Sequence, residues 1–169
     1  MALLKVLTYP EDVLRKKAEP VEVVDDEIRK LVADMAETMY NAPGVGLAAN
    51  QVGVLKRVVV IDVDYSDDKP NLIALINPEI ISKEGESVIE EGCLSLPGVT
   101  EPVERALKVT VRALNEKGDP VEHTAEGFFA HAVQHELDHL DGTLLIDHLS
   151  FLKRKMLSRD LVKRKRVGG

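Results

Sequence analysis

His135-Glu136-Leu137-Asp138-His139 is the stretch in which residue type and spacing together suggest chemistry. On a helix, residues four apart lie on one face a turn apart, so His135 and His139 can aim two imidazoles at one point. Glu136 can reach a water held at that point without ligating an ion there. Two histidines and an adjacent carboxylate at this spacing suit metal-assisted hydrolysis, in which the carboxylate moves the proton of an activated water. The plainer alternative is a pair of helix-face histidines beside an ordinary acid, and a motif this short does arise by chance.

A catalytic ion normally takes three protein ligands and keeps one open position. Downstream stand only Asp141, Asp147 and Asp160, and no second helix offers a convincing glutamate. Cys93 is the better third ligand: it is the only cysteine and lies beside Gly92 in a polar turn. The alternatives are that it is a small buried hydrophobe, the usual fate of a free cysteine, or a thiolate nucleophile. His131 extends the histidine column, but about 12 Å along the axis separates it from His139. One ion with bonds near about 2 Å cannot bridge that distance. His131 is therefore expected on a pocket wall, and His123 and His148 are given no role. Gly44-Val45-Gly46-Leu47-Ala48-Ala49-Asn50-Gln51 carries two glycines that let backbone approach a ligand. It lacks the lysine and hydroxyl of a phosphate loop, and its plainer use is as a helix-to-strand connector.

The elements that must position these residues follow from periodicity. The histidines sit in a segment, residues 125–141, that reads as a buried helix closed by Gly142. Residues 11–18 form a short helix candidate ended by Pro20. Ile28, Leu31, Val32, Met35 and Met39 recur at helical spacing, with Asp25 and Asp26 at the favourable end, so residues 25–40 read as an amphipathic helix. Residues 57–63 and 72–76 are β-branched or apolar runs expected as strands, with Asn77-Pro78 as a break and 79–82 as a possible resumption. Residues 64–70 read as an acidic loop, Gly85 as a turn before 86–90, and Pro97-Gly98 as another turn. Leu107, Val109 and Val111 alternate with Lys108 and Arg112, and a turn at 115–118 leads to a partner strand near 121–124. Ser150 is placed to cap a last helix, with residues 163–169 fraying.

The expected architecture is α+β, with antiparallel or mixed sheets around the central metal-binding helix and a helix at the C-terminus. One domain covers residues 1–149, and a basic helix with its frayed tail covers 150–169. The body carries −14 and the last twenty residues +7, which points to a polyanionic partner for the tail. No run approaches the roughly 18–20 apolar residues of a membrane span. The first residues lack the pattern of a signal peptide, and one cysteine excludes an intrachain disulfide. A cytoplasmic protein with no membrane partner is expected.

Three stretches together carry a family resemblance. Gly44-Val45-Gly46-Leu47-Ala48-Ala49-Asn50-Gln51, Glu91-Gly92-Cys93-Leu94-Ser95 and His135-Glu136-Leu137-Asp138-His139 resemble, in order and separation, the three signature motifs of peptide deformylases. Residues 7–21 are similar to that family's opening, and the likeness extends to about Leu149. The resemblance implies that Cys93, His135 and His139 bind one divalent metal. Fe²⁺ is the usual ion, with Zn²⁺, Ni²⁺ or Co²⁺ as substitutes. It implies a formyl-methionyl nascent polypeptide as substrate and formate as product, with Glu136 as general base. The Gln51 amide and Leu94 N–H would donate to the formyl oxygen, and Gly44, Val45 and Gly46 would pair with the peptide backbone. Leu94, Phe128, His131 and Ala132 would enclose the methionine side chain. His131 departs from the aliphatic residue common at its position, and 98–100 lacks an arginine that some members carry nearby. The basic tail would dock on the ribosome, and the protein would act as a monomer. The rival readings are a metallopeptidase built on the same helix motif, and a non-catalytic metal- or RNA-binding module.

Overall fold

The computed structural model describes residues 2–64 and 70–168. Asp25 starts the first helix, α1 (Asp26–Asn41): its carboxylate accepts the Ile28 amide at 3.0 Å. Asp26 and Glu27 place further negative charge in the first turn, where the helix dipole favours it. The helix expected over 25–40 is thus present, displaced by one residue. Residues 11–18 hold only a 3₁₀ turn, Asp12–Arg15. The chain leaves helical geometry there because the Ala18 and Glu19 amides donate instead to Leu140 (2.8 Å) and Leu55 (3.0 Å).

Five strands form an antiparallel sheet: β1 (Gly46–Ala48), β2 (Val58–Ile61), β3 (Ile73–Glu84), β6 (Lys108–Leu114) and β7 (Pro120–Glu126), in the order β1-β2-β3-β6-β7. Between β3 and β6 in the chain, β4 (Ser87–Cys93) and β5 (Leu96–Arg105) make a separate antiparallel hairpin. The central helix is α2 (Phe128–Leu140) and the last is α3 (Phe151–Gly168). Helices cover both faces of β2, which explains its unbroken apolar sequence. Val58 and Val60 pack with Ile28, Val32 and Met35 of α1, while Val59 and Ile61 pack with Val133, Leu137 and Leu140 of α2. The expected α+β architecture, sheets around a central helix with a C-terminal helix, is the one observed.

Several boundaries differ from expectation, each for a local reason. Helix α2 begins at Phe128 and not at 125, because Ala125 and Glu126 still pair with Val109 and Lys108 in the sheet, and Gly127 turns the chain at φ +63°. Asn77-Pro78 does not end β3. The strand passes it by a register shift, with Asn77 at φ +53° and its side-chain amide bonding both the N–H and C=O of Val21 at 2.8 Å. Pro97-Gly98 is likewise no turn. It forms a bulge inside β5, where pairing steps from Cys93↔Leu96 to Gly92↔Thr100, and the tight turn falls at Leu94-Ser95. Leu107 precedes β6 and is 37% exposed, so Ala113 takes the third place beside Val109 and Val111 on the buried face.

Ser150 caps α3, its hydroxyl accepting the Lys153 amide. The helix continues to Gly168 where fraying was expected from 163. Contacts with the body hold it there: Leu161 is buried with Leu14, Val99 and Val103, Lys165 Nζ donates to Thr8 O at 2.8 Å, and the hydroxyls of Tyr9 and Ser158 are hydrogen-bonded. Of the acidic loop expected at 64–70, residues 65–69 lie outside the described residues. No described helix is long and apolar enough to cross a membrane.

Candidate metal centre and substrate cleft

Nearly all of α2 is buried, and it carries His135, Glu136 and His139 into the interior against β1 and the β4–β5 hairpin. The turn at Leu94-Ser95 brings Cys93 to the same point from the other side. Cys93 Sγ lies 3.3 Å from His139 Nε2, which lies 3.3 Å from His135 Nε2. The three ligand atoms fall within 4.8 Å of one another. Bonds of about 2.0–2.1 Å meeting tetrahedrally place two nitrogens about 3.3 Å apart, so the imidazole pair already has the spacing that one ion requires.

The surrounding groups prepare the donors. His135 Nδ1 donates to Glu91 Oε1 at 3.0 Å, which leaves its Nε2 lone pair for an ion. Burial pushes the Cys93 thiol up, but His139 and His135 outweigh it and bring the thiol down to about 5, the direction that favours thiolate ligation. Glu91 is pushed up by burial, yet hydrogen bonds from His135, Arg105 and His131 hold it down at about 2. Glu136 is raised, by burial above all, while His135 and His139 pull the other way. Among the described residues its Oε1 has no hydrogen-bond partner, and it faces a cleft of about 460 Å³.

Gly44, Val45, Gly46, Gln51, Leu94, His135 and Glu136 all line that cleft. Gln51 is fixed at both ends of its amide: Oε1 accepts the Ala48 N–H at 3.0 Å, and Nε2 donates to Ser95 Oγ at 3.1 Å and points to Cys93 Sγ at 3.8 Å. The glycine stretch is more than a connector, because Gly46 begins β1, an edge strand whose second side is not paired in the sheet. A smaller pocket of about 110 Å³ opens beside the cleft, with Phe128, His131 and Ala132 in its wall. Leu94, expected in that wall, lines the larger cleft instead, because the turn that carries it stands over Gly44.

The groups that hold the candidate ligands in place were given no role by the sequence motifs. Glu91 opens the second of the three motif stretches, two places before Cys93 in the same strand, but no role was expected of it. Arg105, which grips Glu91 through Nε (2.7 Å) and Nη2 (3.0 Å) and Asp138 through Nη1 (2.8 Å), has no local signal at all. Asp138 also meets His148 at 2.8 Å, so His148 is tied to the network behind α2 although no role was expected for it.

The chain is similar to known proteins in both sequence and fold. Residues 3–155 match the family model described as polypeptide deformylase. A protein of Burkholderia multivorans named peptide deformylase 1 is 56% identical over 168 residues, covering 99% of this chain and 92% of that protein. A peptide deformylase of Thermodesulfovibrio yellowstonii is 50% identical, covering 98% of this chain and 100% of that one. A crystal structure of a peptide deformylase from Legionella pneumophila superposes with a TM-score of 0.92 at 51% identity, covering 99% of this chain and 98% of that one. The Ehrlichia chaffeensis enzyme in complex with actinonin gives the same score at 37% identity, covering 99% and 100%.

Proposed function

The chain belongs to the polypeptide deformylase family, metal-dependent hydrolases that remove the N-formyl group from the formyl-methionine of nascent polypeptides and release formate, and on that premise we propose how its residues divide the work. Cys93, His135 and His139 are the metal ligands, and Glu136 is the general base. The observation that carries this is the convergence of Sγ and two Nε2 atoms beside a buried carboxylate whose Oε1 has no partner among the described residues. Fe²⁺ is the proposed ion, with Zn²⁺, Ni²⁺ or Co²⁺ as substitutes, since a His₂Cys set suits several first-row metals. When bound, the ion is a Lewis acid that makes water nucleophilic near neutral pH.

Glu136 takes the proton of the attacking water and returns it to the departing amine. The Gln51 amide and Leu94 N–H donate to the formyl oxygen as charge develops there. The free edge of β1, with Gly44, Val45 and Gly46, takes the peptide by strand addition, a backbone recognition largely indifferent to later side chains. Phe128, His131 and Ala132 receive the methionine side chain.

In this reading residues 1–149 are the catalytic domain of a cytoplasmic monomer. Residues 150–169 include α3 (Phe151–Gly168), whose basic outer face docks on ribosomal RNA. Docking through phosphates is strongly salt-dependent. Co-sedimentation with ribosomes should be lost on removing 150–169, and equal pelleting of both forms at low salt would rule the docking out. The activity itself is tested by formate release from a formyl-methionyl tripeptide, using Fe²⁺-loaded protein kept from oxygen. Rapid release is expected, with no cleavage of the unformylated peptide. Cleavage of the unformylated peptide would favour a metallopeptidase, and no reaction would favour a binding module.

A further inference from the structure

His131 is 1% exposed, and both of its ring nitrogens are engaged. Its Nδ1 meets Glu91 Oε2 at 2.7 Å and its Nε2 meets Ser87 Oγ at 2.9 Å. Glu91 therefore receives four donors: Arg105 Nε and His131 Nδ1 on Oε2, Arg105 Nη2 and His135 Nδ1 on Oε1. An ionised carboxylate offers about four lone-pair positions and no donor, so this one is filled, and each histidine must present N–H at Nδ1. His131 and His135 are thus held in the same tautomer by the two oxygens of one carboxylate. The Nε2 of His131 pairs with the Ser87 hydroxyl on its other side.

His131 also lines the 110 Å³ pocket, together with His135 and Glu136. One side chain therefore borders the pocket and occupies the oxygen opposite the one that orients a proposed metal ligand. Arg105 alone does not make His131 redundant, since its third donor is drawn toward Asp138. Without His131, one Oε2 position would lie buried and unfilled, and the carboxylate could tilt away from His135.

We propose that His131 is a positioning residue that couples the side-chain pocket to the metal ligand His135 through their shared carboxylate, Glu91. The inference rests on the ligand set proposed above. It goes beyond that set by joining substrate side-chain recognition to metal retention.

The test uses the Co²⁺-loaded protein, whose absorption reports the ligand field, together with the rate of Co²⁺ release to a chelator. In His131→Leu the absorption should shift and metal affinity should fall roughly 10–100-fold, the usual cost of losing an outer partner of a ligating histidine. His131→Asn, whose side-chain amide can still donate to Glu91, should restore the spectrum and the release rate while leaving KM for formyl-methionyl peptides altered. A wild-type spectrum and release rate in His131→Leu would overturn the coupling. Where His131→Leu does not fold, nitrogen NMR of the Zn²⁺-loaded wild-type protein decides: the Nδ1–H tautomer of His131 upholds the proposal and the Nε2–H tautomer overturns it. Failure of the wild-type protein to bind one Co²⁺ would instead remove the ligand assignment itself.

Discussion

Gly46 and Glu136 are in direct contact: a methyl group added at Gly46 would stand 2.5 Å from Glu136 Oε2. The glycine therefore makes room for the Glu136 carboxylate, the proposed base, as well as for any peptide lying along β1. Gly46→Ala should push the carboxylate aside with little effect on melting temperature, because the clash is with the end of a side chain. Displacing a reacting group by about 1 Å costs on the order of 10²-fold in rate. Steady-state kinetics on the metal-loaded variant should show a fall of that size in kcat, and an unchanged kcat would show that Glu136 works from elsewhere.

Gln51 is buried, and its amide is held by the Ala48 N–H and Ser95 Oγ. That fixation suits a donor aimed at charge that exists only in the transition state. Gln51→Ala should lower kcat by about 10²–10³-fold, the cost of one oxyanion donor, with KM nearly unchanged. A rise in KM alone would assign Gln51 to ground-state binding.

Gly142 stands at φ +77° just past α2, and a Cβ there would lie 2.4 Å from the backbone oxygen of Arg15. Neither strain has an easy escape. Gly142→Ala should destabilise the fold by at least about 1–3 kcal/mol, and each kcal/mol lowers the melting temperature by roughly 2–4 °C in a chain of this size. An unchanged melting curve would contradict the observed cap.

Asp34 accepts from Lys30 Nζ at 2.6 Å and from the Ala2 amide at 2.8 Å, and these bonds, Lys30 first, hold its carboxyl below the ordinary value. A carboxyl depressed in the folded state stabilises above its unfolded pKa, about 3.9, and loses that contribution as pH falls through the lower folded value. The stability gap between wild type and Asp34→Asn should therefore be steady near neutrality and close below about pH 4. Denaturant melts across that range check the sign, and a gap that widens in acid would refute it.

Much of this was legible in the sequence, because local signals agree with the fold where residues interact with near neighbours. The i, i+4 histidines, the acids Asp25 and Asp26 at the start of α1 and the β-branched run of β2 each state their own structure. What was not legible depends on distant partners. Nothing near residue 105 announces that Arg105 grips a carboxylate fourteen positions earlier. Asn77-Pro78 reads as a break and Pro97-Gly98 as a turn, because proline and glycine mark breaks, turns and bulges alike. Only the partners, Val21 for Asn77 and Thr100 pairing with Gly92, decide among them.

In the proposed division of work, Cys93, His135 and His139 hold the metal while Glu136 moves the proton without ligating it. Metal content and formate release, measured together on Glu136→Gln, test it most directly. The variant should hold one metal ion per chain, like the wild-type protein, with a kcat lower by about 10²–10⁴-fold. Formate release at the wild-type rate, or loss of the metal along with the activity, would contradict it.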